Sequence, residues 1–152
     1  MKKKEIQEIT ERLLQIIKID GEVEVSESEE TLQIKIQSPE GNRLIGYHGQ
    51  ALEGLEKIIK QIFQKKFGET QKLVLDVNDY KKARERVVRR RALEAALQAK
   101  REGRVVFLPP MNSYERWLVH ETLSGEEGIE TLSEGEGAER KVLVRPKSEF
   151  IL

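Results

Sequence analysis

The spacing of the hydrophobic residues changes several times along the first half of the chain. Over residues 4–19 they recur every three or four positions, which predicts an amphipathic helix that is stopped by Gly21. Over residues 23–37 they alternate with polar residues in two short runs, which predicts two half-buried strands joined by an acidic turn. A second helical stripe covers residues 50–67, and a third alternating run covers residues 73–77. The predicted order is helix, strand, strand, short helical turn, helix, strand.

A second series of elements is predicted from residue 80 onward. Residues 80–102 have the pattern of one long helix, which Gly103 stops. Its apolar stripe is made of small side chains within one narrow arc, at Val88, Ala92, Ala95 and Ala99. The later pattern predicts a short strand, a helix and a closing pair of strands, at Val105–Leu108, Asn112–Leu123, Ile129–Leu132 and Lys141–Val144. Asn112 and Glu115 have the capping-box spacing that opens such a helix.

These elements predict an α+β protein of two small domains, at residues 1–78 and 79–152, fused without a linker. The length of 152 residues suffices for two small hydrophobic cores. The first domain has the order given above, and the second has the order helix, strand, helix, strand, strand.

Charge is balanced over the whole chain but not along it. There are 27 basic and 27 acidic residues. Residues 81–104 hold ten basic and three acidic residues, whereas residues 121–139 hold seven acidic residues and no lysine or arginine. A neutral chain polarised in this way can still present a strongly positive face, and such a face suits a polyanionic partner.

Composition excludes several classes of protein. The chain has no cysteine, which excludes disulfides, thiolate metal sites and a cysteine nucleophile. No run approaches the roughly 20 apolar residues that span a bilayer, and no apolar signal-peptide core follows the first lysines. We therefore expect a cytoplasmic protein without membrane insertion, and no metal or cofactor is implied.

Catalysis is not expected either. Hydrolysis needs clustered carboxylates with a metal, or a nucleophile placed beside a base. The two histidines, His48 and His120, lie in no recognisable catalytic motif. Asp76 and Asp79 lie at a strand end before a helix, where capping accounts for them.

A glycine motif, Leu44-Ile45-Gly46-Tyr47-His48-Gly49-Gln50, precedes the most apolar helix. Glycine lacks a Cβ, so the backbone can come close to a ligand. The unpaired amides at the start of the next helix favour an anion such as a phosphodiester. The alternative is that both glycines merely form a tight turn between two helices, and the motif by itself does not decide between the two.

Within the predicted order of elements, the Ile-Gly-x-x-Gly motif resembles that of a type II KH domain, and the resemblance covers residues 3–78. It implies that the loop clamps about four nucleotides of a single strand by their backbone. The residues that match the RNA-binding loop are Arg43, Gly46, Tyr47, His48, Gly49 and Gln50. Many members of the family have a lysine or arginine between the glycines, where this chain has tyrosine and histidine, so Arg43 is the candidate for the missing charge. Residues 39–45 leave little room for the helix that normally precedes the loop.

An arginine and a histidine four residues apart, Arg116 and His120, lie on one face of the helix predicted at 112–123. A guanidinium beside an imidazole is a compact set of donors for a phosphate oxygen. The alternative is a surface arginine with a structural histidine, which is the commoner case for an isolated pair.

The residues around this pair, including Gly-Arg-Val-Val-Phe-Leu-Pro-Pro-Met-Asn before it, resemble the R-three-H domain over residues 80–147. That resemblance implies binding of single-stranded nucleic acid through Arg116 and His120, with further basic residues at Arg104, Lys141 and Arg145. A KH domain running directly into an R-three-H domain is similar to the bacterial Jag, or SpoIIIJ-associated, family. The additional N-terminal domain of that family has no counterpart in these residues, so roles tied to it are not expected.

The resulting hypothesis is a non-catalytic protein that binds single-stranded RNA, or single-stranded DNA, along one continuous track. A basic face of the long helix would line the track, at Lys82, Arg86, Arg89 and Arg90. Each of these residues taken singly is better explained as part of a solvated helix face. Tyr47 and Tyr114 are candidates to stack on bases, whereas Trp117 is expected to pack in the core. The alternative function is a protein-interaction adaptor that pairs with another KH domain as a homodimer or heterodimer.

Overall fold

The computed structural model describes residues 1–68 and 71–148. Their internal contacts divide them into two compact units, Met1–Lys81 and a second that begins at Lys82. Each unit combines helices with a three-stranded sheet. The predicted α+β class is therefore confirmed.

The first unit has its elements in the predicted order: α1 (Lys2–Ile16), β1 (Glu22–Glu27), β2 (Thr31–Gln37), α2 (Gly41–Ile45), α3 (Gln50–Phe67) and β3 (Lys72–Val77). Strand β2 lies in the middle of the sheet, antiparallel to β1 and parallel to β3. One face of the sheet buries Ile34 and Leu75, which pack with Ile6 of α1 and Phe63 of α3. The two long helices therefore cover the same face of the sheet.

Two details of the first unit differ from the prediction. Helix α1 ends at Ile16 rather than near residue 19, because Lys18 adopts a left-handed conformation with φ 57°. The amide of Ile19 then donates to the carbonyl of Leu14, as in a Schellman cap. A five-residue helix, α2, does form before the glycines, where the sequence left little room for one.

Asn78 accounts for the position of α2. Its side chain donates to the carbonyl of Ser38 at 2.8 Å and accepts from the amide of Ser38 at 2.9 Å. A side chain at Gly41 would collide with Asn78, since an added Cβ would lie 2.2 Å from its amide nitrogen. The end of β3 therefore fixes the segment from which α2 starts.

The second unit contains α4 (Tyr80–Glu102, which starts just before the boundary), β4 (Val106–Phe107), α5 (Ser113–Leu123), β5 (Ile129–Glu134) and β6 (Lys141–Pro146). Strand β6 lies between β4 and β5, and both neighbours are antiparallel to it. The inner face of this sheet buries Val142 and Val144 against α5, and the small residues of α4 join the same core as predicted. Asn112 caps α5 by accepting from the amide of Glu115 at 2.9 Å.

An ion pair joins the two helices of the second unit. Arg84 of α4 donates from Nε to one oxygen of Glu115 at 2.7 Å and from Nη2 to the other at 3.4 Å. The side chains are only 14% and 6% exposed. This bidentate contact fixes the start of α5 against α4.

Candidate nucleic-acid interface

The glycine loop, residues 46–49, connects α2 to α3 and has three residues with positive φ. Gly46 has φ 70° and ψ −171°, His48 has φ 51°, and Gly49 has φ 81°. Such values suit glycine and are uncommon for histidine. Helix α3 then begins at Gln50, as predicted.

Both glycines are required by contacts inside the unit. A Cβ at Gly46 would lie 2.7 Å from the Cβ of Ala51, and one at Gly49 would lie 3.1 Å from the ring of Tyr80. The amide of Gly46 donates to Asn42 at 2.9 Å, and the buried amide of Gly49 donates to the carbonyl of Gly46 at 3.4 Å. The prediction that this loop offers bare main-chain amides to phosphates is thus wrong for both glycines. They allow tight packing, as in the alternative that the sequence left open.

Replacing Gly46 by alanine is expected to lower the free energy of unfolding of the first unit by about 1–3 kcal/mol, from backbone strain and the contact with Ala51. Gly54→Ala is the matched control. Gly54 lies inside α3 with open space around it, so alanine there should stabilise the helix by up to about 1 kcal/mol. Thermal unfolding of the two variants measures the difference, and equal effects would contradict the packing role of Gly46.

The exposed part of the glycine loop consists of Gly46 and of the side chains that follow it. Tyr47 is 71% exposed, and its ring stacks on that of His48 with centroids 3.9 Å apart. Arg43 is exposed but pairs with Glu40 at 3.0 Å. A hydrogen bond from the amide of Asp20, followed by that from Arg43, lowers the pKa of Glu40, so this carboxylate stays charged beside Arg43. The loop therefore presents a stacked aromatic pair. The exposed Gln50 follows it, and Arg43, whose charge is partly neutralised by Glu40, precedes it in α2.

Helix α5 presents the second set of predicted residues. Leu118, Val119 and Leu123 fill its core side. At about 100° per residue, Trp117 lies about 60° from both His120 and Tyr114 on the remaining side. Trp117 is 55% exposed and Tyr114 is 56% exposed, with ring centroids 5.8 Å apart. The prediction that Trp117 packs in the core is wrong, since the aliphatic residues already occupy that side.

Arg116 and His120 are both half-buried and held by polar contacts of their own. Arg116 donates from Nη1 to the carbonyl of Met111 at 2.6 Å, which uses one of its five N–H groups. His120 contacts Thr131 Oγ1 through Nδ1 at 2.6 Å and Ser133 Oγ through Nε2 at 2.9 Å. Arg116 is thus available to an anion, whereas His120 mainly ties α5 to β5. We call Tyr114, Arg116, Trp117 and His120 the α5 surface.

Burial, with the nearby charge of Arg116, lowers the pKa of His120 below its usual value of 6.5. Below pH 6.5 the folded unit therefore binds fewer protons than the unfolded chain. The contribution of His120 to the free energy of unfolding is complete above pH 6.5 and is lost as the pH falls below it. We expect the second unit to lose stability between pH 7.5 and pH 5, and His120→Gln to reduce that loss. Unfolding at each pH, followed by Trp117 fluorescence, measures it. His48→Gln, in the other unit, should keep the full pH dependence.

The predicted basic residues of α4 differ in whether a carboxylate pairs with them. On α4, Arg89 binds Glu121 at 2.7 Å and Glu85 at 3.3 Å, and the hydrogen bond to Glu121 raises its pKa. Arg90 lies 3.9 Å from Glu94, while Lys82 and Arg86 are exposed without a carboxylate partner among the described residues.

Two further basic residues lie on the other face of the second sheet. Neighbouring residues of a strand point to opposite faces, so Lys141 and Arg145 point away from the face where Thr131 meets His120. Lys141 lies over the Phe107 ring at 4.9 Å, Arg145 binds Glu130 at 2.6 Å, and Arg104, which precedes β4, pairs with Glu102. The structure therefore brings Arg116 and His120 together but separates them from Lys141 and Arg145.

Sequence reasoning missed two partners of His120, which are the hydroxyls of Thr131 and Ser133. Their signal was present: both alternate with Leu132 in β5, and both face the side that α5 covers. A polar residue on the inner face of a strand needs a partner there.

Comparisons with known proteins match the second unit and most of the chain. Residues 86–146 match the model of the R-three-H domain. The protein named RNA-binding protein KhpB of Clostridium symbiosum is 30% identical over 131 residues, which are 86% of this chain and 59% of that protein. The protein of that name in Bacillus subtilis (strain 168) is 31% identical over 129 residues, 84% of this chain and 62% of that protein.

The chain spans less than two thirds of the length of these relatives. A Streptococcus pneumoniae protein of the same name is 31% identical over 114 residues, 75% of this chain and 35% of that protein. In residues 1–68 and 71–148, no helix has both the length and the apolar character required to cross a membrane. The chain contains an R-three-H domain at residues 86–146, preceded by a unit with the predicted order of elements, and most of its length is similar to these relatives.

Proposed function

We propose that this chain binds unpaired RNA without catalysing a reaction, and that the α5 surface of the R-three-H domain is a principal contact. The observation that carries the proposal is that Trp117 and Tyr114 form an exposed stack on the helix that also carries Arg116. The guanidinium of Arg116 is held by a carbonyl and has no carboxylate partner among the described residues. The names of the relatives, which are called RNA-binding proteins, support RNA as the ligand.

The chemistry of the α5 surface suits a single strand. An unpaired base can stack on an exposed aromatic ring, which is worth about 1–3 kcal/mol per base and depends little on its sequence. An arginine that is already fixed by a carbonyl can hold the neighbouring phosphate at a small cost in side-chain entropy. The bases of a duplex are stacked on each other and do not offer such a face.

We further propose that the first unit is a KH domain of type II and that it contributes a second contact. The order of its elements, the parallel pairing of β2 with β3 and the position of the glycine loop support this assignment. Since the amides of both glycines donate hydrogen bonds inside the unit, the RNA strand would contact side chains instead. Tyr47 and His48 would stack on a base, and Arg43 with Gln50 would contact phosphates or base edges.

The other basic residues remain secondary members of the proposal. The positive charges of Lys82 and Arg86 would raise the concentration of the RNA near the protein surface. Arg89, Arg90, Arg104 and Arg145 contribute less, since each already has a carboxylate partner, and Lys141 would act from the other face of its sheet. A cytoplasmic location and KH-mediated dimers stay predictions.

Trp117 allows a direct test, because it is the only tryptophan of the chain. An unstructured RNA of 12–16 nucleotides should quench its fluorescence on titration, whereas an RNA duplex of the same length should not. Three to five phosphate contacts predict a slope of log K against log salt of roughly −2 to −3.5. Single-stranded DNA of the same sequence reports whether the ribose matters. Absence of quenching, together with a flat salt dependence, would contradict the proposed function.

A further inference from the structure

A series of hydrogen bonds connects the turn between β5 and β6 to the α5 surface. Arg116 donates to the carbonyl of Met111, and the amide of Met111 donates to the carbonyl of Arg140 at 3.2 Å. On the other side, Ser133 contacts His120 two residues before Gly135. The turn that carries Arg140 therefore borders the residues that hold Arg116 and His120.

The side chain of Arg140 is fixed in this turn. Its Nη1 donates to the carbonyl of Gly135 at 2.7 Å. Gly135 has φ 92°, and an added Cβ would lie 3.0 Å from the carbonyl oxygen of Glu139, so the two ends of the turn are in close contact. A short 3₁₀ turn at Gly137–Glu139 closes it. The guanidinium of Arg140 is thus anchored by a carbonyl, as that of Arg116 is.

Carbonyl anchoring distinguishes these two arginines from most others in the second unit. A carboxylate lies within ion-pair distance of most other arginines of the second unit, at Arg84, Arg89, Arg90, Arg101, Arg104 and Arg145. Within residues 1–68 and 71–148, neither Arg116 nor Arg140 has a carboxylate within ion-pair distance, although Glu136 and Glu139 belong to the same turn. Two guanidinium groups that are fixed in place and not neutralised favour an anion.

We propose that Arg140 is a further RNA-binding residue and that Arg140 and Arg116 together hold one phosphate of the bound strand. This inference rests on the proposed function and refines it. The phosphate takes N–H groups from two arginines that reach it from α5 and from the β5–β6 turn. The base next to that phosphate stacks on Trp117.

The test compares charge-changing variants of the full chain with fluorescein-labelled single-stranded RNA, measured by anisotropy at several salt concentrations. Arg140→Gln removes the charge and keeps an N–H donor for the carbonyl of Gly135. We expect it to weaken binding about tenfold and to reduce the salt slope by about 0.7. Arg91→Gln is the control, because Arg91 is an exposed arginine of α4 outside the proposed site, and its slope should equal that of the wild type. Arg140→Lys, which keeps the charge, should bind more tightly than Arg140→Gln.

The double variant Arg116→Gln/Arg140→Gln tests whether the phosphate is shared. If the two arginines share one phosphate, the slope of log K against log salt should fall by about 0.7 in the double variant. If they bind two separate phosphates it should fall by about 1.4, and that result would overturn the shared contact. If Arg140→Gln binds like the wild type while the wild type binds RNA, Arg140 is not part of the site and the proposed function stands. If the wild type itself does not bind unpaired RNA, the proposed function fails first.

Discussion

Glu115→Ala is expected to lower the free energy of unfolding of the second unit by about 3–5 kcal/mol, because it removes the carboxylate that pairs with the largely buried guanidinium of Arg84. The two side chains are 14% and 6% exposed, so bulk water reaches little of the guanidinium. Urea unfolding, followed by circular dichroism and by the fluorescence of Trp117 on the same helix, measures the change.

Glu121→Ala is the matched control for this prediction. Glu121 also lies on α5 and binds an arginine of α4, Arg89, at the same distance of 2.7 Å, but these side chains are 46% and 38% exposed. Its loss should cost at most about 1 kcal/mol. The apolar double variant Arg84→Met/Glu115→Leu should recover much of the lost stability, since no buried charge remains. Equal losses for Glu115→Ala and Glu121→Ala would refute the importance of burial.

Tyr47→Asp/His48→Asp is expected to weaken binding of single-stranded RNA about 100-fold while leaving the fold intact. The variant removes two rings that can stack on bases, at about 1–3 kcal/mol per base, and places two negative charges beside the phosphates. The fold should tolerate it, because Tyr47 is 71% exposed and because aspartate accepts the left-handed backbone of His48. Anisotropy of a labelled RNA and thermal unfolding measure the two effects.

Gln61→Glu/Gln64→Glu adds the same two charges elsewhere on the first unit. Both glutamines are exposed on α3, and Gln61 lies about 17 Å along the helix from Gln50. This control should lose less than about threefold in affinity. If both double variants weaken binding equally, general repulsion explains the result and the glycine loop is not a specific contact.

Periodicity predicted the elements because each helix and strand buries one face. Alternation in β2 and β3, and the small residues of α4, mark surfaces that are buried in the structure. Two local features were missed for physical reasons. The end of α1 depends on a left-handed Lys18, a conformation that glycine usually adopts. Helix α2 depends on Asn78, which contacts Ser38 from 40 residues away.

The candidate site was predicted in part. Spacing alone placed Arg116 and His120 one turn apart on one helix face, and the structure has them there. Spacing could not give their partners, since the contact of His120 with Thr131 and Ser133 joins α5 to a strand. The exposure of Trp117 does not follow from its aromatic character, because Leu118, Val119 and Leu123 already fill the core side of α5.

The amino-acid sequence by itself determined the order of the elements, the division of polar and apolar faces and the R-three-H motif, since all three depend on residue types at fixed spacings. Only the tertiary structure decided which polar groups remain available to a ligand. It engaged the amides of Gly46 and Gly49 inside the first unit and paired Arg89 and Arg145 with carboxylates. Among the described residues, it anchored Arg116 and Arg140 by carbonyls and not by carboxylates. The reason is that a charged side chain is neutralised by an opposite charge within a few ångströms of it. The residues that carry those opposite charges come from distant parts of the chain.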